Sequence, residues 1–299
     1  MRGARPWRRA LALTRPRQWP ILSAQLLVGV LLAQTDGPRL AALLTGPALF
    51  TVAAAWLAWV VLLNGGTLAY NSAWDRDTGP VAYLRTPPEP PRGLATGALA
   101  LMGCGAVVGA VLVGPRFGQV TAACVALSVL YSHPGSRWKA KPGLDLAVNM
   151  AGYGAGTTIA GLLGGRAATG AAAAAGAPWL VAGFAALFGS LYPLTQIYQA
   201  AADRARGDRT LATALGVRPS LGLALLLGVL ATAALLRAGP GGGTGFLLVG
   251  GACGLWLAHL GWWLGRAPQL ADAGHERGMY RALGLWALVD AAVVAAHFA

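Results

Sequence analysis

Asn71-Ser72-Ala73-Trp74-Asp75-Arg76-Asp77 closes one long apolar run of this 299-residue chain, and Gln199-Ala200-Ala201-Ala202-Asp203-Arg204-Ala205-Arg206-Gly207-Asp208 closes another. Together the two segments hold four of the ten acidic residues. Charged groups at the end of a membrane span are costly to place, which makes them functional candidates. Asn71 precedes Asp75 by four positions, as Gln199 precedes Asp203, a spacing that sets each pair on one face of a helix. Two such faces offer carboxylate and amide oxygens to a divalent cation. Mg²⁺ held by a few carboxylates, with water and substrate phosphate completing its shell, is the usual form of such a site.

Composition sets the surroundings of these segments. Hydrophobic residues make up 56% of the chain and charged residues 11%, with a mean hydropathy of +0.56. Soluble domains carry roughly 25% charged residues, so this chain lacks the polar surface that water requires. Apolar stretches of about 20 residues, the length that crosses a bilayer, fall near 18–34, 46–70, 93–113, 117–132, 145–164, 178–199, 211–236, 244–265 and 279–298. The expectation is an all-α integral membrane protein of about nine transmembrane helices. They form a bundle with a central cavity that opens to the cytoplasmic side.

The net charge of +13 does not point to nucleic acid, because its distribution follows the spans. Nineteen of the 23 basic residues lie at the N-terminus and in the even-numbered inter-helix loops, against Arg39, Arg116, Arg166 and Arg237 in the others. That asymmetry is the positive-inside rule, and it sets the N-terminus and both acidic segments in the cytoplasm and the C-terminus on the opposite side of the cell membrane. The basic lead-in 1–17 suits the anionic inner leaflet of the lipid bilayer. Cys104, Cys124 and Cys253 lie in apolar spans without metal-ligand spacing and read as small hydrophobic residues. Asp145 begins a span, whereas Asp290 lies deep in the ninth and requires a partner there.

A third polar segment, Tyr131-Ser132-His133-Pro134-Gly135-Ser136-Arg137-Trp138-Lys139-Ala140-Lys141, falls on the same side and holds both lysines of the chain. Lysine is a compact point charge for phosphate oxygens and arginine a planar fork for the same group. Acidic metal-holding faces and a Lys/Arg cluster together describe a pocket for a diphosphate neutralised by Mg²⁺.

These three segments resemble the signature loops of the UbiA superfamily, which comprises intramembrane prenyltransferases of nine helices and related terpene cyclases. The resemblance rests on Asn71-x3-Asp75-x-Asp77, on Tyr131-Ser132 with Arg137-x-Lys139, and on Gln199-x3-Asp203-x4-Asp208-Arg209-Thr210-Leu211-Ala212. It extends to the lead-in Arg15-Pro16-Arg17-Gln18-Trp19 and to Leu215-Gly216. It implies one domain over 1–299, with four-helix halves at 18–142 and 143–265 and a ninth helix at 279–298. It also implies Asp-rich motifs that hold Mg²⁺ on an isoprenyl diphosphate. The metal ligands are then Asn71, Asp75, Asp77, Gln199, Asp203 and Asp208, and the catalytic set is Asp75, Asp77, Asp203, Asp208 and Lys139. The chain departs from the family pattern at Gly79 and at Gln199, where acids are expected.

Charge dictates the chemistry that follows. An allylic diphosphate ionises once metal and Lys/Arg neutralise the leaving group, and the cation left behind needs a dry, electron-rich cavity. Asn71, Tyr131, Ser132, Arg137, Lys139 and Gln199 are expected to bind the substrate, as are Asn149, Tyr153, Tyr192 and Tyr198, which line the cavity with Tyr70 and Trp74. Asn64, two turns before Asn71, is placed to orient an acceptor. Three readings follow: prenyl transfer to a lipophilic acceptor such as an aromatic ring, intramolecular cyclisation to a terpene, and a non-catalytic transporter or scaffold. The last leaves the shared sidedness of the three polar segments unexplained.

Overall fold

The computed structural model describes residues 5–34, 37–75, 84, 86–205, 207, 209–239 and 243–299. Helices account for its regular structure: α1 (Pro6–Leu13), α2 (Trp19–Leu32), α3 (Gly37–Ala42), α4 (Gly46–Asp75), α5 (Leu94–Leu112), α6 (Pro115–Ser132) and α7 (144–169). The chain continues through α8 (Ala177–Ile197), α9 (Ala200–Ala205), α10 (Leu211–Leu215), α11 (Val217–Ala238), α12 (Gly243–Arg266) and α13 (Asp272–Phe298).

Each expected span falls on one of these helices, and α4, α5, α8, α11, α12 and α13 are long and apolar enough to cross a membrane. The others are shorter or more polar. α2 has 14 residues, about 21 Å at 1.5 Å per residue against a hydrocarbon core of about 30 Å. α7 carries Asp145, Asn149 and Arg166. Boundaries moved where polar segments meet the helices. The span expected to begin at 211 starts instead at Val217, because Gly216 adopts a φ of 85° and breaks α10 from α11. The span expected to reach 199 ends at Ile197, and α4 runs past 70 as far as Asp75.

Packing divides the chain into two units, Met1–Arg137 with Ile159–Ala172 and Trp138–Thr158 with Ala173–Ala299, so α7 contributes its first turns to the second unit and its last turns to the first. In the first unit α4, α5 and α6 pack against one another. In the second, α8 packs on α11, α13 and the early part of α7, while α12 lies against α11 and α13. α4 and α7 each contain a π-helical stretch, at Leu57–Asn64 and Met150–Gly156. Such wider turns rotate the residues beyond them to a new face and recur at functional sites.

Between apolar helices in lipid there is no hydrophobic drive to associate, so close van der Waals approach must hold them, and small residues allow it. Gly161 and Gly165 of α7 show this against α2. A Cβ on Gly165 would lie 2.5 Å from the Val30 carbonyl oxygen, and one on Gly161 would collide with the carbonyl oxygen of Leu26. Backbone cannot yield as a flexible side chain can. Gly161→Val should therefore destabilise the protein by about 1–3 kcal/mol or more. Gly103→Ala in α5, which faces open space, should be neutral or stabilising by up to about 1 kcal/mol through helix propensity. Thermal unfolding of the detergent-solubilised variants measures both; equal effects would refute the close-packing account.

Candidate functional site

In the first unit the end of α4 presents the first acidic segment. From Gly65 to Asp75 the helix is regular α, so Asn64, which closes the π stretch and is buried, stands two turns before Asn71. Asn71 and Asp75 are half-buried, and the Ser132 hydroxyl donates to Asn71 Oδ1 at 3.0 Å. That bond joins the first polar segment to the Tyr131-Ser132 end of α6. Deeper along the same helices, Thr67 and Ser128 share a hydrogen bond of 2.8 Å. Trp74 sits edge-on to both Tyr70, at 6.1 Å between ring centroids, and His133, at 5.5 Å. His133 is an exposed loop residue whose Nδ1 accepts the Gly135 amide at 3.1 Å.

Arg15 escaped the sequence reading except as part of the lead-in. Its side chain is 5% exposed, and Nη2 donates to Ser72 Oγ at 3.4 Å, so a buried guanidinium stands one residue from Asn71. Its backbone is left-handed, with φ 51°. The signal for it was Arg15-Pro16, where proline starts a short 3₁₀ turn ahead of α2. Arg137 also has positive φ, 40°, and its side chain is exposed; Tyr131 is half-buried.

The second unit holds the remaining candidates. Lys139 lies in a 3₁₀ turn, Trp138–Ala140, and is half-buried, while Lys141 is exposed. Asn149 is buried and its side-chain amide donates to the Asp145 carbonyl at 2.8 Å. Tyr153 stacks on Phe188 with centroids 5.3 Å apart and planes at 13°. Tyr192 is half-buried on α8, and Gln199 Nε2 donates to the Tyr198 hydroxyl at 2.9 Å. Asp203 is 5% exposed on α9, and its amide donates to the Gln199 carbonyl at 2.9 Å, the helical turn that the spacing of four implies. Thr210, the N-cap of α10, places Oγ1 3.4 Å from Asp203 Oδ2. Asp77, Asp208 and Gly79 lie outside the described residues.

Asp145 does more than begin a helix. It is fully buried, and four neutral donors converge on its carboxylate: the Gly143 and Leu146 amides at 2.9 and 2.8 Å, Gln196 Nε2 at 3.1 Å and the Leu211 amide at 3.2 Å. Gln196 Oε1 accepts the Ala212 amide at 3.2 Å. Nothing in the spacing of Asp145, Gln196 and Leu211 foretells this cluster, which depends on tertiary contact. Asp290 is buried in α13 one turn from Trp286, and neither its Oδ1 nor the Trp286 indole N–H has a hydrogen-bond partner among the described residues.

In the first unit Asn71 and Asp75 offer amide and carboxylate oxygens, and in the second Gln199 and Asp203 do the same; oxygen ligands of this kind suit a hard divalent cation. Among the described residues no three His, Cys, Asp or Glu side chains gather at one point, and a cation held by either pair would take the rest of its shell from water or substrate oxygens. The donor chemistry fits Mg²⁺ on those terms.

Apolar helices long enough to cross a bilayer, with acidic and basic residues at their ends, define a multi-pass membrane protein. The model of the UbiA prenyltransferase family matches residues 22–280, and the chain belongs to that family. A comparison with curated protein sequences found no match. Among solved structures, that reported for digeranylgeranylglyceryl phosphate synthase in membranes aligns with a TM-score of 0.69 over 98% of each chain at 14% identity. A UbiA homologue from Archaeoglobus fulgidus bound to DMAPP and Mg²⁺ aligns with a TM-score of 0.63 at 16% identity, over 96% of this chain and 99% of that one. The same homologue bound to GPP and Mg²⁺ gives 0.62 at 16% identity over 96% and 99%. At these identities the likeness is one of fold.

Proposed function

We propose that this protein ionises an isoprenyl diphosphate with the help of Mg²⁺ and transfers the prenyl group to a lipophilic acceptor. The observation that carries the reading is the buried carboxylate of Asp203, one helical turn after Gln199, in a chain that the prenyltransferase family model matches over 22–280. Carboxylate and amide oxygens drawn away from water on one helix face suit a hard cation, and diphosphate oxygens complete its shell. Structures of the Archaeoglobus homologue with DMAPP or GPP and Mg²⁺ support the same substrate class.

On this reading Asn71, Asp75 and Asp77 in one polar segment and Gln199, Asp203 and Asp208 in another hold the cation. When bound, Mg²⁺ supplies charge neutralisation to the departing diphosphate. Lys139 and Arg137 bind diphosphate oxygens, with Tyr131 and Ser132 as hydroxyl partners. The allylic carbon–oxygen bond breaks with its electron pair going to diphosphate, an acceptor nucleophile bonds to the allylic carbon, and the acceptor releases a proton. Tyr153, Tyr192, Tyr198 and Asn149 would keep water from the cation and stabilise its charge. Asn64 orients the acceptor. The same ionisation without an acceptor leads to cyclisation, a reading that Gln199 favours, since an amide in place of an acid alters how the diphosphate is gripped.

Incubation of membranes with geranyl, farnesyl and geranylgeranyl diphosphates and Mg²⁺, without acceptor, separates the two. Unchanged substrate supports transfer, and cyclic hydrocarbon or alcohol establishes cyclisation.

The charge asymmetry of the loops supports a cytoplasmic N-terminus and a C-terminus across the membrane. Single cysteines at Arg92, Lys141 and Arg209, in a background lacking Cys104, Cys124 and Cys253, should be labelled from the cytoplasmic side only. A site labelled from the other face defeats this orientation.

Asp75→Ala and Asp203→Ala should each lower turnover by about 10²-fold or more, the usual cost of removing a group that stabilises developing charge, with folding intact by gel filtration. Near-normal turnover in either would remove it from the site. Lys139→Ala should weaken diphosphate binding by about tenfold or more, and Lys141→Ala by much less, because Lys139 is half-buried and Lys141 exposed. Equal losses would show that both grip phosphate.

A further inference from the structure

The second and third polar segments meet at one buried carboxylate. Lys139 and Lys141 are followed within six residues by Asp145, and the Lys141 carbonyl accepts the Asp145 amide at 3.1 Å. Two donors to Asp145, Gly143 and Leu146, belong to the same stretch; the other two, the Gln196 side chain and the Leu211 amide, belong to the stretch around the second acidic segment. Gln196 in turn accepts the Ala212 amide on Oε1, and its own carbonyl accepts the Gln199 amide at 3.1 Å. The two fastened amides belong to the first turn of α10, directly after its N-cap Thr210, whose hydroxyl lies 3.4 Å from Asp203 Oδ2.

We propose that Asp145 and Gln196 are positioning residues for the metal-holding acid Asp203. By fixing the amides of Leu211 and Ala212 they hold Thr210 against one oxygen of Asp203, leaving the carboxylate in one orientation. They also lock the lysine-bearing stretch to the acidic one, so that Lys139 and Asp203 are set by a common anchor. The inference rests on the proposed function for what Asp203 binds, but the fastening itself is independent of it. A carboxylate at position 145 is required by the direction of its bonds. Oδ2 must accept from both Gln196 and Leu211, and an amide nitrogen there would face two donors with a third. A buried polar group left unmatched in this way loses a charge-assisted hydrogen bond and its desolvation cost goes uncompensated.

Three variants test this: Asp145→Asn, Gln196→Glu and the double exchange. In the double exchange the amide moves to position 145 and the carboxylate to position 196. Donation between the two side chains is then reversed, and the Ala212 amide keeps an acceptor. The purified proteins are read by hydrogen–deuterium exchange over 199–216 without substrate, and by the Mg²⁺ concentration that half-saturates binding of geranyl diphosphate. Each single variant should raise exchange in 199–216 and raise the half-saturating Mg²⁺ by about tenfold or more, with exchange in α11 and α12 unchanged. The double exchange should recover part of both losses, which mere damage to the fold would not do. Should Asp145→Asn fail to fold, Gln196→Met, which removes both side-chain bonds at similar volume, must give the same two effects.

Unchanged exchange over 199–216 would overturn the proposal, as would raised exchange with an unchanged Mg²⁺ requirement. A double variant no better than the worse single would overturn it too. Wild-type protein that binds geranyl diphosphate while Asp145→Asn binds it equally well defeats this inference alone. Wild-type protein that binds no geranyl diphosphate with Mg²⁺ defeats the proposed function, and the positioning role with it.

Discussion

Hydrocarbon gives a peptide bond nothing to hydrogen-bond with, and the architecture of this protein follows from that constraint. Each backbone amide and carbonyl in a span must find its partner within the span, which leaves the helix as the form available to a chain of this composition. Once helices are imposed, their association cannot draw on the hydrophobic effect, since lipid is as apolar as leucine. Contact must come from fit. Gly161 and Gly165 bring α7 onto the backbone of α2, and in the second unit Gly154 brings the early part of α7 onto the backbone of α8 at Ala185. Small residues here are the means by which apolar helices touch at all.

The same constraint sends polar chemistry to helix ends. Asn71 and Asp75 lie in the last turns of α4, Ser132 ends α6, and Asp203 follows the end of α8. Charges so near hydrocarbon are stable only with dense hydrogen bonding. Asp145 meets that demand with four neutral donors, and Arg15 is buried beside Ser72. In each unit, a buried charged side chain ties a stretch of loop to a helix end that carries a candidate metal ligand. A charged group that needs many partners specifies where those partners must be, which an apolar contact does not.

The apolar runs could be read directly because a membrane span is a local property: length and hydropathy suffice, and helices stand where the nine stretches were expected. The pairings Asn71 with Asp75 and Gln199 with Asp203 were legible for a related reason, since the helical repeat relates residues four apart without any knowledge of the fold. The breaks were less so. Gly216 separates α10 from α11, and the sequence alone continues one apolar run through it, because a single glycine among apolar residues is tolerated in many membrane helices.

What the sequence by itself determined, then, is the helical membrane architecture, the family, and the residue types at the helix ends, all of which depend on spacing along the chain. Tertiary structure decided which polar groups meet. The bonds from Ser132 to Asn71, from Arg15 to Ser72, and from Gln196 and Leu211 to Asp145 join residues 57 to 66 positions apart in most cases and 51 in one. No periodicity records separations of that kind. A hydrogen bond depends on distances of a few ångströms and on direction, and those are set only when packed helices bring their ends together.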